Sequence, residues 1–166
     1  DARDILAMKI SAVGDLEWSR TWDFGGLDEG FAVALAPDGN VVLLGAASFG
    51  RPESNIVLLK VDPQGNEIWN RTVGETGATA WHITAMPEGG YVLGGGTGSS
   101  ALMLKTDAEG QLLWQRTFGS GEYADAFVGP VVLLPDGEYV FVGGVTRHGE
   151  KSPDMLWLKL VPGHGF

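Results

Sequence analysis

The stretch DPQGNEIWNRTVG, residues 62–74, joins a turn sequence to a strand sequence that contains a tryptophan. It belongs to LLKVDPQGNEIWNRTV (58–73), which has two close copies, LAMKISAVGDLEWSRTW (6–22) and MLKTDAEGQLLWQRTF (103–118). The copies share Lys, Gly, Trp, Arg and Thr in register, and in each the Trp follows the Lys by nine residues. A fourth copy, WLKLVPGHGF, reaches Lys159 but contains no later Trp. The chain is therefore built from repeats.

A second repeated motif lies between these copies. Pro37, Pro87 and Pro135 are each followed by an acidic residue and Gly, and each stands eight residues before another glycine. These later glycines are Gly45, Gly95 and Gly143. The spacings between the equivalent lysines of successive copies are 51, 45 and 54 residues. Such periods are typical of propellers and solenoids, in which one supersecondary unit repeats.

Turn residues divide each repeat into four strands. The segments DPQG and DAEG place glycine where a tight turn needs a positive φ, and the Pro-acidic-Gly segments do the same. In the third repeat we expect strand A at 80–86, strand B at 91–97, strand C at 101–106 and strand D at 112–118. No stretch has a convincing period of 3.6 residues, so we expect little helix.

Four-stranded repeats of about 45 residues indicate β-propeller blades. The sequence predicts a single all-β domain over 1–166, with four-stranded antiparallel sheets and about three and a quarter blades per chain. Its parts are strands C and D at 5–22, blades at 31–73 and 80–118, and an incomplete blade at 126–161. Strand B becomes rich in small residues midway, as expected where neighbouring sheets approach closely.

The repeats resemble two groups of propellers. Each copy has a glycine four residues before its tryptophan, which is similar to the tryptophan-docking hairpin of the PQQ-type propellers. The pairs are Gly14 with Trp18, Gly65 with Trp69, and Gly110 with Trp114. The segments PDGEYVFVGG and PEGGYVLGGG are even more similar to the Trp-containing propeller repeats of secreted and surface proteins in bacteria and archaea. The resemblance implies a fold and no activity, and no residues correspond to a quinone site.

Residues present in every repeat most simply serve the repeat itself. The Trp of each copy and the Arg two residues later share one face of a strand, within reach of cation–π stacking. These arginines are Arg20, Arg71 and Arg116. We therefore expect structural packing roles for the repeated Trp, Arg and Gly residues, and similar roles for the repeated lysines at sheet edges or in salt bridges.

The unrepeated features lie in two connections between strands B and C. FGRPESN (49–55) and TRHGEKSPD (146–154) are longer than their counterpart GTGSS, and equivalent loops of a propeller gather on one rim. We expect this rim to be the partner surface. Its polar members are Arg51, Glu53, Arg147, His148, Glu150 and Lys151.

Composition argues against several classes of function. The net charge of −10 and the pI near 4.6 disfavour nucleic acid and anionic membranes, which bind clustered basic residues. No apolar run is long enough to span a membrane, so we expect no membrane insertion. The chain has no cysteine for disulfides or thiolate metal sites.

Catalysis and metal binding receive little support from the sequence. The three histidines, His82, His148 and His164, occupy unrelated positions and form no metal-ligand motif. Carboxylates precede strand A in two repeats but lack the spacing of an EF-hand calcium loop. They are Asp28, Glu29, Glu122 and Asp125. We expect no catalytic residue, no cofactor and no metal site.

The strand count leaves the propeller open. Thirteen predicted strands make three blades and a remainder, whereas propellers usually have four to eight blades, and an open stack exposes apolar faces and strand edges. Either the chain is a fragment of a longer propeller, or its ends pair between molecules. In the second case an incomplete C-terminal A-B-C set accepts an N-terminal D strand from another copy, which gives a ring or a filament.

We favour self-association and expect a non-catalytic interaction module, extracellular or on the cell surface, that binds copies of itself or other proteins. On this hypothesis, deleting residues 1–21 prevents association. The alternative is a propeller that binds a carbohydrate or small molecule at its rim or axis, and such a protein is a stable closed particle.

Overall fold

The structure is a computed structural model that describes residues 3–48, 50, 53–119, 121 and 123–160. Within these residues the chain forms thirteen strands and no helix, so the all-β prediction is confirmed. The strands are β1 Ile5–Ile10, β2 Leu16–Trp22, β3 Asp28–Leu35, β4 Val41–Ala47, β5 Asn55–Val61, β6 Glu67–Val73, β7 Thr79–Ala85, β8 Tyr91–Gly96, β9 Ala101–Thr106, β10 Leu112–Phe118, β11 Tyr123–Leu133, β12 Tyr139–Arg147 and β13 Asp154–Leu160. A search of the same residues for a helix able to cross a membrane finds none.

The strands form four antiparallel sheets that follow one another along the chain. Sheet 1 contains β1 and β2, sheet 2 contains β3 to β6, sheet 3 contains β7 to β10, and sheet 4 contains β11 to β13. In every sheet, strands that are consecutive in sequence are neighbours. Each sheet is thus a simple meander, which short turns between antiparallel strands allow.

The first strands of two sheets begin earlier than the sequence predicts. β3 begins at Asp28 rather than at residue 31, and β11 begins at Tyr123 rather than at residue 126. The strand pairing shifts between Gly30 and Ala32 in β3, and β11 has a similar shift near its start. Such a bulge interrupts the alternation of side chains, although the strand continues beyond it.

A repeated glycine lies beside a shift in strand pairing in each of β3, β7 and β11. A Cβ atom on Gly95 would lie 1.9 Å from the carbonyl oxygen of Thr79, and one on Gly143 would lie 1.9 Å from that of Phe127. Gly45 has the same close approach, at 2.5 Å. No side chain fits in this space, which explains why a glycine recurs eight residues after each proline.

The four sheets stack face to face in chain order, with apolar side chains between them. Each sheet has a forward face, toward the next sheet in the chain, and a rear face, toward the preceding one. Leu44 and Leu58 on the forward face of sheet 2 share one buried cluster with Leu93 and Leu104 on the rear face of sheet 3. A second cluster, which includes Met103, joins sheet 3 to sheet 4, and a smaller one joins sheet 1 to sheet 2.

Candidate interaction surfaces

The repeated tryptophans pack on the glycine turn of the next sheet. Trp18 Nε1 donates a hydrogen bond of 3.0 Å to the carbonyl oxygen of Pro63, and its ring is 2.9 Å from where a Cβ on Gly65 would lie. The ring of Trp69 approaches the equivalent point on Gly110 to 2.8 Å. Gly65 and Gly110 also have φ angles of 80° and 76°, which favour glycine. The repeated Gly and Trp therefore connect neighbouring sheets.

The remaining glycine and tryptophan of the repeats, Gly14 and Trp114, have different surroundings and do not contact each other. Gly14 has a φ of 95°, and a Cβ placed on it would meet nothing within 4 Å. Trp114 is partly buried and lies edge-on to Tyr139, with 6.3 Å between the ring centroids. Gly14 thus forms a turn in open space, whereas Trp114 contacts the following sheet.

The repeated arginines differ in their contacts. The guanidinium of Arg71 lies 5.8 Å from the centre of the Trp69 ring, which is within the range of a cation–π interaction. Arg20 donates a hydrogen bond of 3.0 Å to the carbonyl oxygen of Ser19, and Arg116 is exposed. Among the described residues, stacking of this Arg on its own Trp occurs in sheet 2 and not in sheets 1 and 3.

The repeated lysines of sheets 2 and 3 interact with tyrosines of the next sheet. Lys105 Nζ donates a hydrogen bond of 2.9 Å to the hydroxyl oxygen of Tyr139. Lys60 has the equivalent neighbour in Tyr91 and also forms a 2.7 Å ion pair with Asp38. Burial lowers the pKa of Lys60, but Asp38 and Tyr91 outweigh this effect and raise the pKa above its usual value.

The Lys60–Asp38 ion pair predicts a specific loss of stability in acid. The hydrogen bond from Lys60 lowers the pKa of Asp38 from 3.8 to about 2. Because the pKa is depressed in the folded state, the stabilisation is fully present above about pH 4 and is lost as the pH falls toward about 2. We expect Asp38→Asn to reduce this loss, as measured by urea denaturation at pH 5, 4, 3 and 2.

The matched control for this prediction is Asp136→Asn. Asp136 follows Pro135 as Asp38 follows Pro37, so the control removes a carboxylate from the equivalent turn and leaves the Lys60 ion pair intact. Equal effects of the two substitutions on the acid transition would show that total charge, and not this ion pair, is responsible.

The forward face of sheet 4 exposes large apolar side chains. We call this surface the forward end face, and it consists of Val132, Val142, Met155 and Trp157. Trp157 has the same position in its repeat as Leu58 and Met103. Leu58 and Met103 are 0% exposed because the following sheet covers them, whereas Trp157 is 63% exposed. The forward end face is therefore apolar and uncovered in the described part of the chain.

The opposite end of the stack has a second exposed apolar surface. We call it the rear end face, and it consists of Leu6, Met8 and Ile10 on β1 with Val33 and Leu35 on β3. Met8 is 57% exposed, whereas Leu59 and Leu104, its equivalents in sheets 2 and 3, are 0% exposed. Part of this surface lines a groove of about 560 Å³ between β1 and β3.

The predicted rim residues lie in two loops, and the structure describes five of the six. Arg51 lies outside the described residues, and Glu53 is exposed. Arg147 forms a 2.5 Å ion pair with Asp154 at the end of its own hairpin. Three further rim residues are exposed in the turn after β12, namely His148, Glu150 and Lys151. No ion pair or hydrogen bond joins Glu53 to these residues in the described part of the chain, so the rim remains a prediction.

The histidines have separate surroundings. His82 is partly buried, and its Nε2 atom is 3.5 Å from where a Cβ on Gly129 of β11 would lie. His148 is exposed, and His164 lies outside the described residues. His82 therefore lies against the next sheet.

The carboxylates that precede strand A, which were considered as calcium ligands, have different surroundings. Glu29 pairs with Arg3 at 2.5 Å, Asp125 is exposed, and Glu122 lies outside the described residues. Asp28 is buried and lies near two other carboxylates that no sequence motif indicated.

Comparisons with known proteins do not assign a family. No protein-family model matches the chain, and a search of curated proteins finds no significant match. The two end faces, which the structure reveals by comparing equivalent positions of the sheets, are thus the main indication of function. One feature of the sequence indicates these faces: the repeat positions that are buried between sheets hold apolar residues in the outermost sheets as well.

Proposed function

We propose that the protein is a non-catalytic β-propeller module that associates with further copies of itself through its two end faces. The repeated sheets and their stacking support the propeller assignment, since blades are four-stranded antiparallel meanders packed face to face. The close approach of neighbouring sheets at small residues supports it further. A Cβ on Gly94 of β8 would lie 2.4 Å from the carbonyl oxygen of Gly129 in β11.

The observation that carries the self-association proposal is the exposure of Trp157 at a position that the repeat buries elsewhere. Where two sheets contact each other inside the chain, a forward face packs on a rear face, as in the cluster that contains Leu58 and Leu104. The forward end face and the rear end face are thus the two halves of an interface that the chain already forms. A second copy supplies the missing half at each end, and this contact is head-to-tail.

Burial of these surfaces provides the driving force. Exposed apolar clusters of this kind are costly in water, and burial of apolar area contributes about 25 cal/mol per Å². Trp157, on the edge strand of the forward end face, is also of a residue type that is enriched among the dominant contacts of protein interfaces. The repeats' resemblance to secreted and surface proteins supports an extracellular or cell-surface location.

The non-catalytic part of the proposal is supported by the contacts of the repeated residues. Trp18 and Trp69 pack on turns of neighbouring sheets, and Lys60 and Lys105 reach tyrosines of neighbouring sheets. Each of these side chains has a contact that holds the stack together. The repeated Trp and Lys residues thus have structural contacts that explain their recurrence, and no catalytic role is needed to explain it.

Site-directed cross-linking tests the head-to-tail contact. The chain has no cysteine, so single cysteines can be placed at Met155 and at Met8 in separate samples. The equivalent residues at the interface between sheets 2 and 3 are Ile56 and Leu104, which lie close together. A side-chain atom of each is within 3.5 Å of where a Cβ on Gly74 would lie. We expect a mixture of Met155→Cys and Met8→Cys to give mixed disulfide dimers under mild oxidation, in larger amounts than either variant alone.

Leu113→Cys is the control for cross-linking, because Leu113 is exposed on β10 but belongs to neither end face. Mixed with either variant, it should give only the low yield of disulfide dimers that random collision produces.

Sedimentation equilibrium of the unmodified protein should show a mass that rises with concentration. A stable monomer at all concentrations would contradict self-association and favour the alternatives, a fragment of a longer propeller or a closed ligand-binding particle.

A further inference from the structure

Three carboxylates converge between the start of the described chain and the loop from β2 to β3. Asp4 precedes β1, Asp23 follows β2, and Asp28 begins β3. Each contributes one oxygen atom to a group in which all three atoms lie within 4.8 Å of one another. Oxygen ligands of Ca²⁺ lie at about 2.3–2.6 Å from the ion, so three oxygens within this spacing can bind one ion.

Asp28 provides an independent indication that a ligand belongs here. Its side chain is 1% exposed, and its Oδ1 atom is buried without any hydrogen-bond donor among the residues that the structure describes. Its other oxygen, Oδ2, accepts a hydrogen bond of 2.6 Å from the backbone N–H of Phe24. A buried carboxylate oxygen without a partner is costly, and a bound cation would remove this cost.

The positive groups near the cluster do not neutralise it. Arg3, the adjacent residue in the chain, directs its Nη1 atom to Glu29 at 2.5 Å. Among the described residues, Asp4, Asp23 and Asp28 take part in none of the ion pairs. Three close carboxylates repel one another, and a divalent cation between them would attract all three and offset that repulsion.

The site is open on one side and fixed on the other. Asp4 and Asp28 line an open cavity of about 560 Å³, which gives an ion access from solvent. Asp23 is held in place because its Oδ1 accepts a 2.7 Å hydrogen bond from the N–H of Gly25. Gly25 and Gly26 have φ angles of 84° and 124°, so the loop can turn tightly around the carboxylates.

We propose that Asp4, Asp23 and Asp28 bind a calcium ion. Carboxylate oxygens are the ligands that hard cations prefer, and Ca²⁺ accepts the irregular geometry of a loop more readily than Mg²⁺ does. The ion connects the segment before β1 to the start of β3, which the backbone already joins through a bridge between Arg3 and Leu27. It thereby fastens sheet 1 onto sheet 2. This inference does not depend on the proposed self-association.

Calcium titration of chelator-treated protein tests the site directly. We expect isothermal calorimetry to detect binding of one Ca²⁺, and we expect the Tm to rise by about 5 °C or more with CaCl2 at a hundred times its dissociation constant. MgCl2 at the same concentration should give a smaller rise. Absence of binding up to about 10 mM CaCl2, or an equal response to MgCl2, would overturn the assignment.

Three substitutions separate binding from folding. Asp4→Asn alters an exposed ligand and should weaken calcium binding at least tenfold while the protein stays folded. Asp28→Asn should abolish the calcium response without lowering the Tm of the metal-free protein, because it removes a buried charge. Asp15→Asn, in the turn between β1 and β2, is the control and should keep the full response. A full response in Asp4→Asn and Asp28→Asn would contradict the proposal.

Discussion

Gly95→Ala is expected to lower the free energy of unfolding by about 3 kcal/mol or more, or to prevent folding altogether. The added Cβ would lie 1.9 Å from the carbonyl oxygen of Thr79 and 2.7 Å from the Cα atom of Ala80. Both atoms belong to the backbone of the paired strand β7, so no change of side-chain rotamer relieves the contact. Urea denaturation followed by tryptophan fluorescence and circular dichroism measures the loss.

Gly30→Ala is the matched control for this prediction. Gly30 occupies the position in sheet 2 that Ala80 occupies in sheet 3, and its added Cβ would lie 3.3 Å from a methyl group of Ile5. Since a side chain can shift where a backbone cannot, we expect a loss below about 1 kcal/mol. Similar losses in Gly95→Ala and Gly30→Ala would show that the bulge does not require glycine.

Trp157→Asp is expected to weaken self-association by about 30-fold or more, which corresponds to about 2 kcal/mol. The substitution removes the largest side chain of the forward end face and adds a charge that association would bury without a partner. Because Trp157 is 63% exposed in the single chain, the fold should persist. Sedimentation equilibrium measures the association constant, and circular dichroism checks the fold.

Leu113→Asp is the control, since it adds the same charge to an exposed leucine outside both end faces. It should leave the association constant within about twofold of its original value. If both substitutions weaken association equally, the effect arises from the added negative charge on a protein of net charge −10 and not from the forward end face.

The strands were largely predictable because turn and strand residues recur in register. β9 and β10 have the predicted bounds, Ala101–Thr106 and Leu112–Phe118. The early start of β3 was not predictable from alternation, because the bulge between Gly30 and Ala32 interrupts the pattern of apolar residues. The close approach at strand B was predictable, because glycine weakens a strand interior and often marks a place where another backbone comes near.

Contacts between sheets were harder to predict than the sheets themselves. The repeated lysines were visible in the sequence, but their tyrosine partners were not, because Val41 occupies in sheet 2 the position of Tyr91 and Tyr139. A partner residue that is absent from one of three repeats does not stand out as part of the pattern. Its role depends on how one sheet packs on the next.

The carboxylate cluster could not be predicted from spacing. Asp4 and Asp28 are distant in sequence and meet because Arg3 and Leu27 form a backbone bridge. Sequence motifs for calcium rely on ligands within one loop, and only Asp23 and Asp28 satisfy that condition. Exposed apolar faces were expected of an open stack of sheets, but their residues were not identified, because exposure at a repeat position depends on which sheets are outermost and not on the residue type.

Packing of a forward face on a rear face has a consequence for the control of assembly length. The two ends of any head-to-tail oligomer differ, so growth has a polarity. A copy with a damaged forward end face keeps its rear end face and can still join one end of an oligomer, where it prevents further addition. Small amounts of Trp157→Asp mixed with the unmodified protein should therefore act as a cap and shorten the oligomers, out of proportion to their share of the mixture.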